Sequence, residues 1–225
     1  MPWRKKVGRL KNSMAKILHL DATDCSALPL IKKTLAEGGL IGFPTDTFYG
    51  IGADPFNPEA VAKIFKIKNR PTGKPILVLV SSLQQLNLLT PKISPLAQTA
   101  IDAFWPGPLT LLFEALPSLP QALTGGTGKI GVRLPSHTFT QKLIDGIGHP
   151  LTASSANLSG GNNPETAQEV EQSLGSNLDL ILDGGKTKGQ QPSTVLDSTD
   201  SPPRIVREGA VPRATIESVL NCVCT

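Results

Sequence analysis

Four cations lie within nine positions of one short stretch, FKIKNRPTGKP (residues 65–75): Lys66, Lys68, Arg70 and Lys74. Like charges this close repel one another unless something anionic lies among them. Ammonium and guanidinium groups hold anions through short, charge-assisted hydrogen bonds. The stretch therefore indicates a binding site for a negatively charged ligand.

A set of polar loops, each beside an apolar run, carries further groups that suit a ligand. PTDTFYG (44–50) contains Thr47, and ASSANLSG (153–160) contains Ser155 and Asn157. Loops at strand ends are where α/β sheets bind ligands, and small hydroxyl-bearing turns can present N–H donors to phosphate oxygens. Three more motifs, KIGVRLP, PSTVLD and RIVREGA, add Arg133, Ser193 and Arg207. Each alone also fits a turn, a solvated face or a salt bridge, but together they favour a ligand site.

Two of the motif residues raise questions of their own. Arg133 stands inside an apolar run, where a buried guanidinium is costly unless it is paired. Among the acids of the motifs, Asp46 is the candidate general base, but its expected role is to cap its turn. The motifs contain no carboxylate-rich or metal-ligand cluster, so we expect no metal ion held by protein side chains.

Spacing excludes several well-known sites. GGTGKIG (125–131) fails as a phosphate loop, because Leu123 and Ile130 stand where glycine and Ser or Thr are needed. GIGADP (50–55) lacks the third glycine of a dinucleotide fingerprint. The histidines are scattered and the cysteines are too few for a disulfide framework, so we expect structural roles for His19, His137 and His149 and reduced thiols at Cys25, Cys222 and Cys224.

The net charge of +4 is concentrated at the N-terminus. Residues 1–13 hold five of the 22 basic residues and no acid, which leaves 17 bases against 18 acids in the rest of the chain. We expect residues 1–13 to be a disordered basic arm and residues 14–225 to form a single catalytic domain. With no apolar run of about 18 residues and no signal peptide, we expect a cytoplasmic protein without membrane contact.

Short apolar runs alternate with amphipathic stretches along the chain. The runs predicted as strands are 16–20, 40–43, 76–80, 109–113, 130–134, 151–154, 180–183, 193–197 and 204–208. Helices are predicted at 29–39, at 57–69 with Asn57 as N-cap, and at 163–175 with the same Asn-Pro start at Asn163. Because 176–212 reads as free of helix, some strands should pair antiparallel. The fold class is therefore α/β with an open, twisted, mixed parallel and antiparallel sheet and flanking helices.

These residues together resemble the YrdC-like threonylcarbamoyl-AMP synthases, from about Lys16 to about Pro212. The similarity rests on FPTDTFYGIGADP, KIFKIKNRPTGKP, WPGPLT, GVRLP, SANLSG and STVLD, the last followed fourteen residues later by Arg207. The resemblance implies a YrdC-like sheet with a concave basic cleft. It also implies the reaction of L-threonine, bicarbonate or CO2 and ATP to threonylcarbamoyl-adenylate and pyrophosphate, for N6-threonylcarbamoyladenosine formation in tRNA. Leu79, where the two-domain branch has a histidine, agrees with the short, single-domain bacterial type.

The resemblance also assigns roles to individual residues. ATP would be bound by Lys68, Arg70, Lys74, Lys129, Ser155, Asn157, Asn163 and Arg207, with Lys68 and Arg70 as the catalytic cations. Threonine would be bound by Thr47, Arg133 and Ser193, with Arg133 on its carboxylate. Mg²⁺ would accompany ATP, and the expected partners are tRNA or other RNA and the proteins that transfer the threonylcarbamoyl group to tRNA.

Three other readings are compatible with parts of the pattern. One is a double-stranded RNA or tRNA binder of the same fold without synthase activity, although the near-neutral body and few aromatic residues disfavour it. The second is a relative in the same fold whose chemistry is undetermined. The third is the carbamoyl-transfer domain of a hydrogenase-maturation protein, which would normally come with acylphosphatase and zinc-finger segments.

Overall fold

The computed structural model describes residues 15–20, 26–189 and 191–225, so the predicted arm at 1–13 lies outside the described residues. The strands are β1 (Lys16–His19), β2 (Ile41–Phe43), β3 (Gly50–Gly52), β4 (Leu77–Leu79), β5 (Leu109–Glu114), β6 (Lys129–Arg133), β7 (Leu151–Ser155), β8 (Leu180–Asp183), β9 (Thr194–Asp197) and β10 (Arg204–Arg207). The helices are α1 (Leu28–Ala36), α2 (Pro58–Lys68), α3 (Pro95–Phe104), α4 (Gln121–Thr124), α5 (Thr138–Ile147), α6 (Ala167–Leu174) and α7 (Arg213–Leu220), with 3-10 turns at Leu83–Leu88 and Gly175–Asn177.

A ten-stranded sheet runs in the order β1-β8-β2-β3-β7-β4-β6-β5-β9-β10. The pairs β1/β8, β2/β8, β4/β6 and β5/β9 are parallel. The pairs β2/β3, β3/β7, β4/β7, β5/β6 and β9/β10 are antiparallel. The predicted mixed sheet is confirmed.

Two apolar clusters cover the two faces of the sheet. α1 and α5 supply the smaller cluster, and α2, α3, α6 and α7 contribute to the larger one. Successive side chains of a strand point to opposite faces, and in β4 Val78 enters the larger cluster while Leu79 enters the smaller. None of the helices in the described part of the chain combines the length and apolar character that crossing a membrane requires.

One face of β5, β6 and β9 remains outside both apolar clusters. Leu111, Val132 and Leu196 point into the larger cluster. The alternate positions Thr110, Arg133 and Ser193 therefore project from the opposite face. These three polar residues are buried but belong to neither cluster. This face is where the sheet can line a polar site.

Two local expectations were wrong. Sequence reasoning missed β3, a short strand with glycine at two of its three positions; a Cβ on Gly52 would lie 2.9 Å from Cδ2 of Leu151, so close packing requires glycine there. The helix expected from Asn163 begins at Ala167, with Thr166 as its N-cap. The carbonyl of Pro164 accepts a hydrogen bond from the N–H of Tyr49, which holds this segment as a loop.

Candidate active site

The end of α2 sets the direction of the first two predicted cations. Asn69 adopts a left-handed conformation with φ 50°, and its N–H donates to the carbonyl of Lys66. The N–H of Arg70 donates to the carbonyl of Phe65. This pair of bonds is a Schellman motif with asparagine in place of the usual glycine. It ends the helix at Lys68 and turns the chain so that Arg70 lies beyond the helix.

Lys68 is buried, with 1% of its surface exposed. Its ammonium donates to the backbone carbonyls of Ser155 and Asn157 and to the side-chain oxygen of Asn157, the last at 3.2 Å. The hydroxyl of Ser155 donates to the same side-chain oxygen at 2.6 Å. Burial, and then the charge of Arg70, lower the pKa of Lys68 to about 8. The structure thus joins the KNR and SAN motifs around one ammonium group.

Arg70 holds the loop that follows it. Its Nε donates to the carbonyl of Lys74 at 3.3 Å, and its Nη2 donates to the carbonyl of Pro75 at 2.9 Å. Burial lowers the pKa of Arg70. The side chain of Lys74 is exposed. The guanidinium is therefore oriented by main-chain oxygens before any ligand arrives.

Arg133 has the partner that its buried position requires. Its Nη1 lies 2.6 Å from Oδ1 of Asp46, and the two side chains are 3% and 10% exposed. Its Nε is buried and has no hydrogen-bond partner among the described residues. Oδ2 of Asp46 accepts from the N–H and hydroxyl of Ser136 at 3.4 and 3.2 Å.

The expectation that Asp46 caps its own turn was wrong. The cap is Thr45, whose Oγ1 accepts from the N–H of Thr47 at 3.1 Å and donates to the carbonyl of Phe48 at 2.7 Å. Threonine can cap a turn in this way because its hydroxyl both donates and accepts. The carboxylate of Asp46 is thereby left for Arg133.

Ser193 and Arg207 meet on the polar face of the sheet. The guanidinium of Arg207 donates to the carbonyl of Ser193 through Nη2 at 2.8 Å and through Nε at 3.2 Å, and to its hydroxyl at 3.2 Å. The hydroxyls of Ser193 and Thr110 are 2.9 Å apart. Arg207 is exposed as a residue, but its guanidinium lies against Ser193. The fourteen-residue spacing in the sequence corresponds to a direct contact.

The predicted cations also act on one another electrostatically. Burial, followed by the charges of Arg133 and Arg70, lowers the pKa of Arg207. Because such an effect falls off with distance, it indicates that the three guanidinium groups lie in the same region of the molecule. Arg70 also lowers the pKa of Lys68. These effects assign four of the predicted cations to one site: Lys68, Arg70, Arg133 and Arg207. That the cleft as a whole is basic stays a prediction.

A cleft of about 570 Å³ lies beside the Asp46–Arg133 pair, and its lining residues are Asp46, Thr47, Pro108, Ser136, Lys188, Gln191 and Ala210. Thr47 lines this cleft together with Asp46, the partner of Arg133, and its role in binding threonine stays a prediction. Sequence reasoning missed Ser136 and Lys188. Only the position of Ser136 just after GVRLP could have indicated it; Lys188 carries no motif.

Asn163 lines a different pocket of about 680 Å³, formed with the start of α6. A strap, residues 185–189, separates the two cavities. On one side the N–H of Thr187 donates to the carbonyl of Glu165 at 2.9 Å, and on the other the N–H of Gly189 donates to the carbonyl of Thr47 at 3.0 Å. Asn163 and Thr47 therefore line different cavities, and the nucleotide role of Asn163 stays a prediction.

Lys129 projects from the same face of β6 as Arg133, four residues away, or about 13 Å along the strand. Its ammonium lies 2.8 Å from carboxylate oxygens of both Asp197 and Asp200. Those hydrogen bonds and charges outweigh the effect of burial and raise the pKa of Lys129. The ammonium is thus engaged by protein groups, and its predicted contact with the nucleotide stays a prediction.

The histidines and acids of the described ranges do not form a metal cage. No three His, Cys, Asp or Glu side chains there are grouped closely enough to hold an ion. His19 donates to the carboxylate of Asp183, and His149 donates to the carbonyl of Pro150. His137 shares a hydrogen bond with the hydroxyl of Thr140.

Comparison with known proteins identifies relatives of this chain. A threonylcarbamoyl-AMP synthase of Pyrococcus abyssi (strain GE5 / Orsay) is 39% identical over 187 residues, covering 83% of this chain and 55% of that protein. A threonylcarbamoyl-AMP synthase of Vibrio campbellii is 37% identical over 184 residues, covering 80% of this chain and 97% of that protein. The chain thus spans little more than half the length of the first relative and nearly all of the second.

A solved structure agrees with the fold. P. abyssi Sua5 complexed with L-threonine matches with a TM-score of 0.87 at 34% identity, over 94% of this chain and 62% of that one. The family model Sua5_yciO_yrdC, described as "Telomere recombination", matches residues 33–209. Since the family model matches well over half of this chain, the chain belongs to the Sua5/YciO/YrdC family.

Proposed function

We propose that this protein is an L-threonylcarbamoyladenylate synthase. It joins L-threonine, bicarbonate or CO2 and ATP into threonylcarbamoyl-AMP and pyrophosphate. The observation that carries the proposal is the meeting of two distant motifs at one buried cation, where the ammonium of Lys68 donates to the carbonyls of Ser155 and Asn157. Relatives at 37–39% identity bear the name of this activity.

The threonine end of the site is formed by Arg133, Thr47 and Ser193. The carboxylate of the substrate pairs with the guanidinium of Arg133, which has a buried Nε without a partner among the described residues. Thr47 and Ser193 supply hydroxyls for the remaining polar groups. The similar Sua5 protein crystallised with L-threonine supports a threonine site in this fold.

The nucleotide end is formed by Lys68, Arg70, Lys74, Ser155 and Asn157. Arg207, Asn163 and Lys129 complete the proposed set. Each N–H of the Lys68 ammonium already has an acceptor within hydrogen-bond distance, so a phosphate oxygen enters by replacing one of them. Arg70 keeps its loop carbonyls on one side and offers the rest of its planar fork to the triphosphate.

The chemistry needs alignment rather than a protein nucleophile. The amine of threonine adds to CO2 with loss of a proton and gives a carbamate. A carbamate oxygen attacks the α-phosphorus of ATP, and the bond to the bridging oxygen breaks as pyrophosphate leaves. Lys68 and Arg70 stabilise the charge on the phosphates during this displacement, and such electrostatic stabilisation is usually the main source of catalysis in transfers of this kind.

Mg²⁺ would bind on the ATP phosphates and supply additional charge neutralisation there. The described residues are compatible with an ion that arrives bound to ATP. Mg²⁺ commonly takes its ligands from phosphates and water, with few protein carboxylates. The protein's own contribution is the arrangement of cations around the phosphates.

The product is proposed to feed N6-threonylcarbamoyladenosine formation in tRNA through transfer proteins, in the cytoplasm, where ATP and tRNA are available. Binding of tRNA or other RNA to this chain remains a proposal. The alternative of an RNA-binding relative without synthase activity is not favoured, because the two relatives described above, from Pyrococcus abyssi and Vibrio campbellii, are named synthases.

Pyrophosphate release from ATP tests the proposal. The purified protein, supplied with bicarbonate, is assayed with each of the twenty amino acids in turn. Release should require both L-threonine and bicarbonate. A variant with Lys66→Ala, an exposed cation on the same helix, serves as control for Lys68→Ala. Equal release without threonine would refute the proposal.

A further inference from the structure

The two oxygens of Asp46 are used very differently. Oδ1 makes a short ion pair of 2.6 Å with Arg133. Among the described residues, the hydrogen bonds to Oδ2 are the long ones from the hydroxyl and N–H of Ser136, at 3.2 and 3.4 Å. A carboxylate oxygen can accept two hydrogen bonds, and charge-assisted ones are typically about 2.7–2.9 Å. Both hydrogen bonds to Oδ2 are thus long ones that a stronger donor can displace, and Asp46 lines the cleft beside Thr47.

The charges of this pair match those of an amino acid. Arg133 alone would attract any anion, including bicarbonate or a phosphate tail of ATP. Paired with Asp46, it forms an ion pair of zero net charge in which a positive and a negative group lie side by side. An amino acid is a zwitterion with its ammonium and carboxylate on one carbon. A paired site discriminates for such a ligand and against simple anions.

We propose that Asp46 binds the α-ammonium group of the amino-acid substrate while Arg133 binds its carboxylate. This inference rests on the proposed function and names the group that recognises the amine. Asp46 is then both a positioning residue for Arg133 and a direct ligand-binding residue.

The same contact directs the substrate through the reaction. Asp46 attracts the nitrogen while it is an ammonium; conversion of the ammonium and CO2 into a carbamate releases two protons, to bicarbonate or solvent, and leaves a neutral N–H that Asp46 attracts less. The new carbamate oxygen is anionic and is repelled by Asp46. It is therefore turned away from Asp46, which leaves it free to meet the α-phosphorus held by the cations.

Calorimetric binding of two ligands tests the inference. The ligands are L-threonine and 3-hydroxybutanoate, which keeps the carboxylate and the hydroxyl and lacks the ammonium. Wild-type protein should bind threonine at least about tenfold more tightly than 3-hydroxybutanoate. Asp46→Asn should lose about tenfold or more in threonine affinity and change little in 3-hydroxybutanoate affinity. Asp145→Asn, an exposed acid on α5, is the matched control and should change neither.

The outcomes separate the inference from the proposed function. If Asp46 acted only by holding Arg133, Asp46→Asn would weaken both ligands equally, and this result would overturn the inference alone. Equal binding of the two ligands by the wild-type protein would also overturn it, even if the variant fails to fold. A wild-type protein that binds no threonine would overturn the proposed function together with the inference.

Discussion

Raising the pH from about 7 to about 9 should weaken the binding of ATP by this protein about tenfold, through the titration of one buried lysine. Lys68 is 1% exposed, and burial together with the charge of Arg70 lowers its pKa to about 8. An ordinary lysine on the surface keeps its charge across this range. ATP binding should therefore follow a titration that surface cations do not show.

The magnitude follows from the charged fraction of Lys68. A group with a pKa of about 8 is roughly nine-tenths charged at pH 7 and roughly one-tenth charged at pH 9. If the triphosphate requires the charged form, the dissociation constant rises by about the same ratio, close to tenfold per pH unit well above pH 8. Below about pH 7 the lysine is fully charged, and its contribution to the pH dependence disappears.

Isothermal titration of ATP at several pH values, at constant Mg²⁺ and ionic strength, measures this dependence. Lys68→Arg keeps its charge throughout and should give a flat profile, while Lys66→Arg, two positions away and exposed, should keep the wild-type profile. A wild-type dissociation constant that stays constant from pH 7 to 9 would refute the assignment of Lys68 to the phosphates.

Two further substitutions test separate parts of the structure. Arg70→Lys keeps a charge but loses the fork that reaches both Lys74 and Pro75, so activity should fall about tenfold to a thousandfold with little change in melting temperature; unchanged ATP affinity would make Arg70 purely structural. Lys129→Met should raise the pH of acid unfolding, since burial tends to raise the pKa of Asp197 and the hydrogen bond from Lys129 helps to hold it below its usual value. The stabilisation from the lowered pKa of Asp197 is present above about pH 4 and is lost as the pH falls. An unchanged midpoint of acid unfolding in Lys129→Met would contradict this role of Lys129.

Much of the fold was predictable because its strands are apolar and its turns are marked. All nine strands expected from apolar runs exist, and α2 begins at the predicted Asn-Pro pair. β3 was missed because a three-residue strand with two glycines shows no alternation. The start of α6 was misplaced because an Asn-Pro pair resembles a helix start, whereas contacts with Tyr49 and Thr187 hold this segment in a loop.

The site was predictable in its residue types but not in its pairings. Lys68 and Asn157 are 89 positions apart, and Asp46 and Arg133 are 87 apart. Which distant loops meet depends on the order of strands in the sheet, and a single sequence does not encode that order in any local pattern. The need of Arg133 for a partner was evident from its buried position, whereas the identity of that partner required the structure.

The oxygens that surround the cations of the site have a consequence for turnover. Lys68 and Arg70 are held by main-chain carbonyls, Arg207 by the carbonyl of Ser193, and Arg133 by a carboxylate. A phosphate that enters replaces contacts of the same kind, so the gain on binding is the difference between two sets of hydrogen bonds. When a phosphate ligand departs, the cations can again donate to these protein oxygens, which remain close to them. The net affinity of these cations for a phosphate ligand is thereby limited, and the same limit makes the release of a bound phosphate easier.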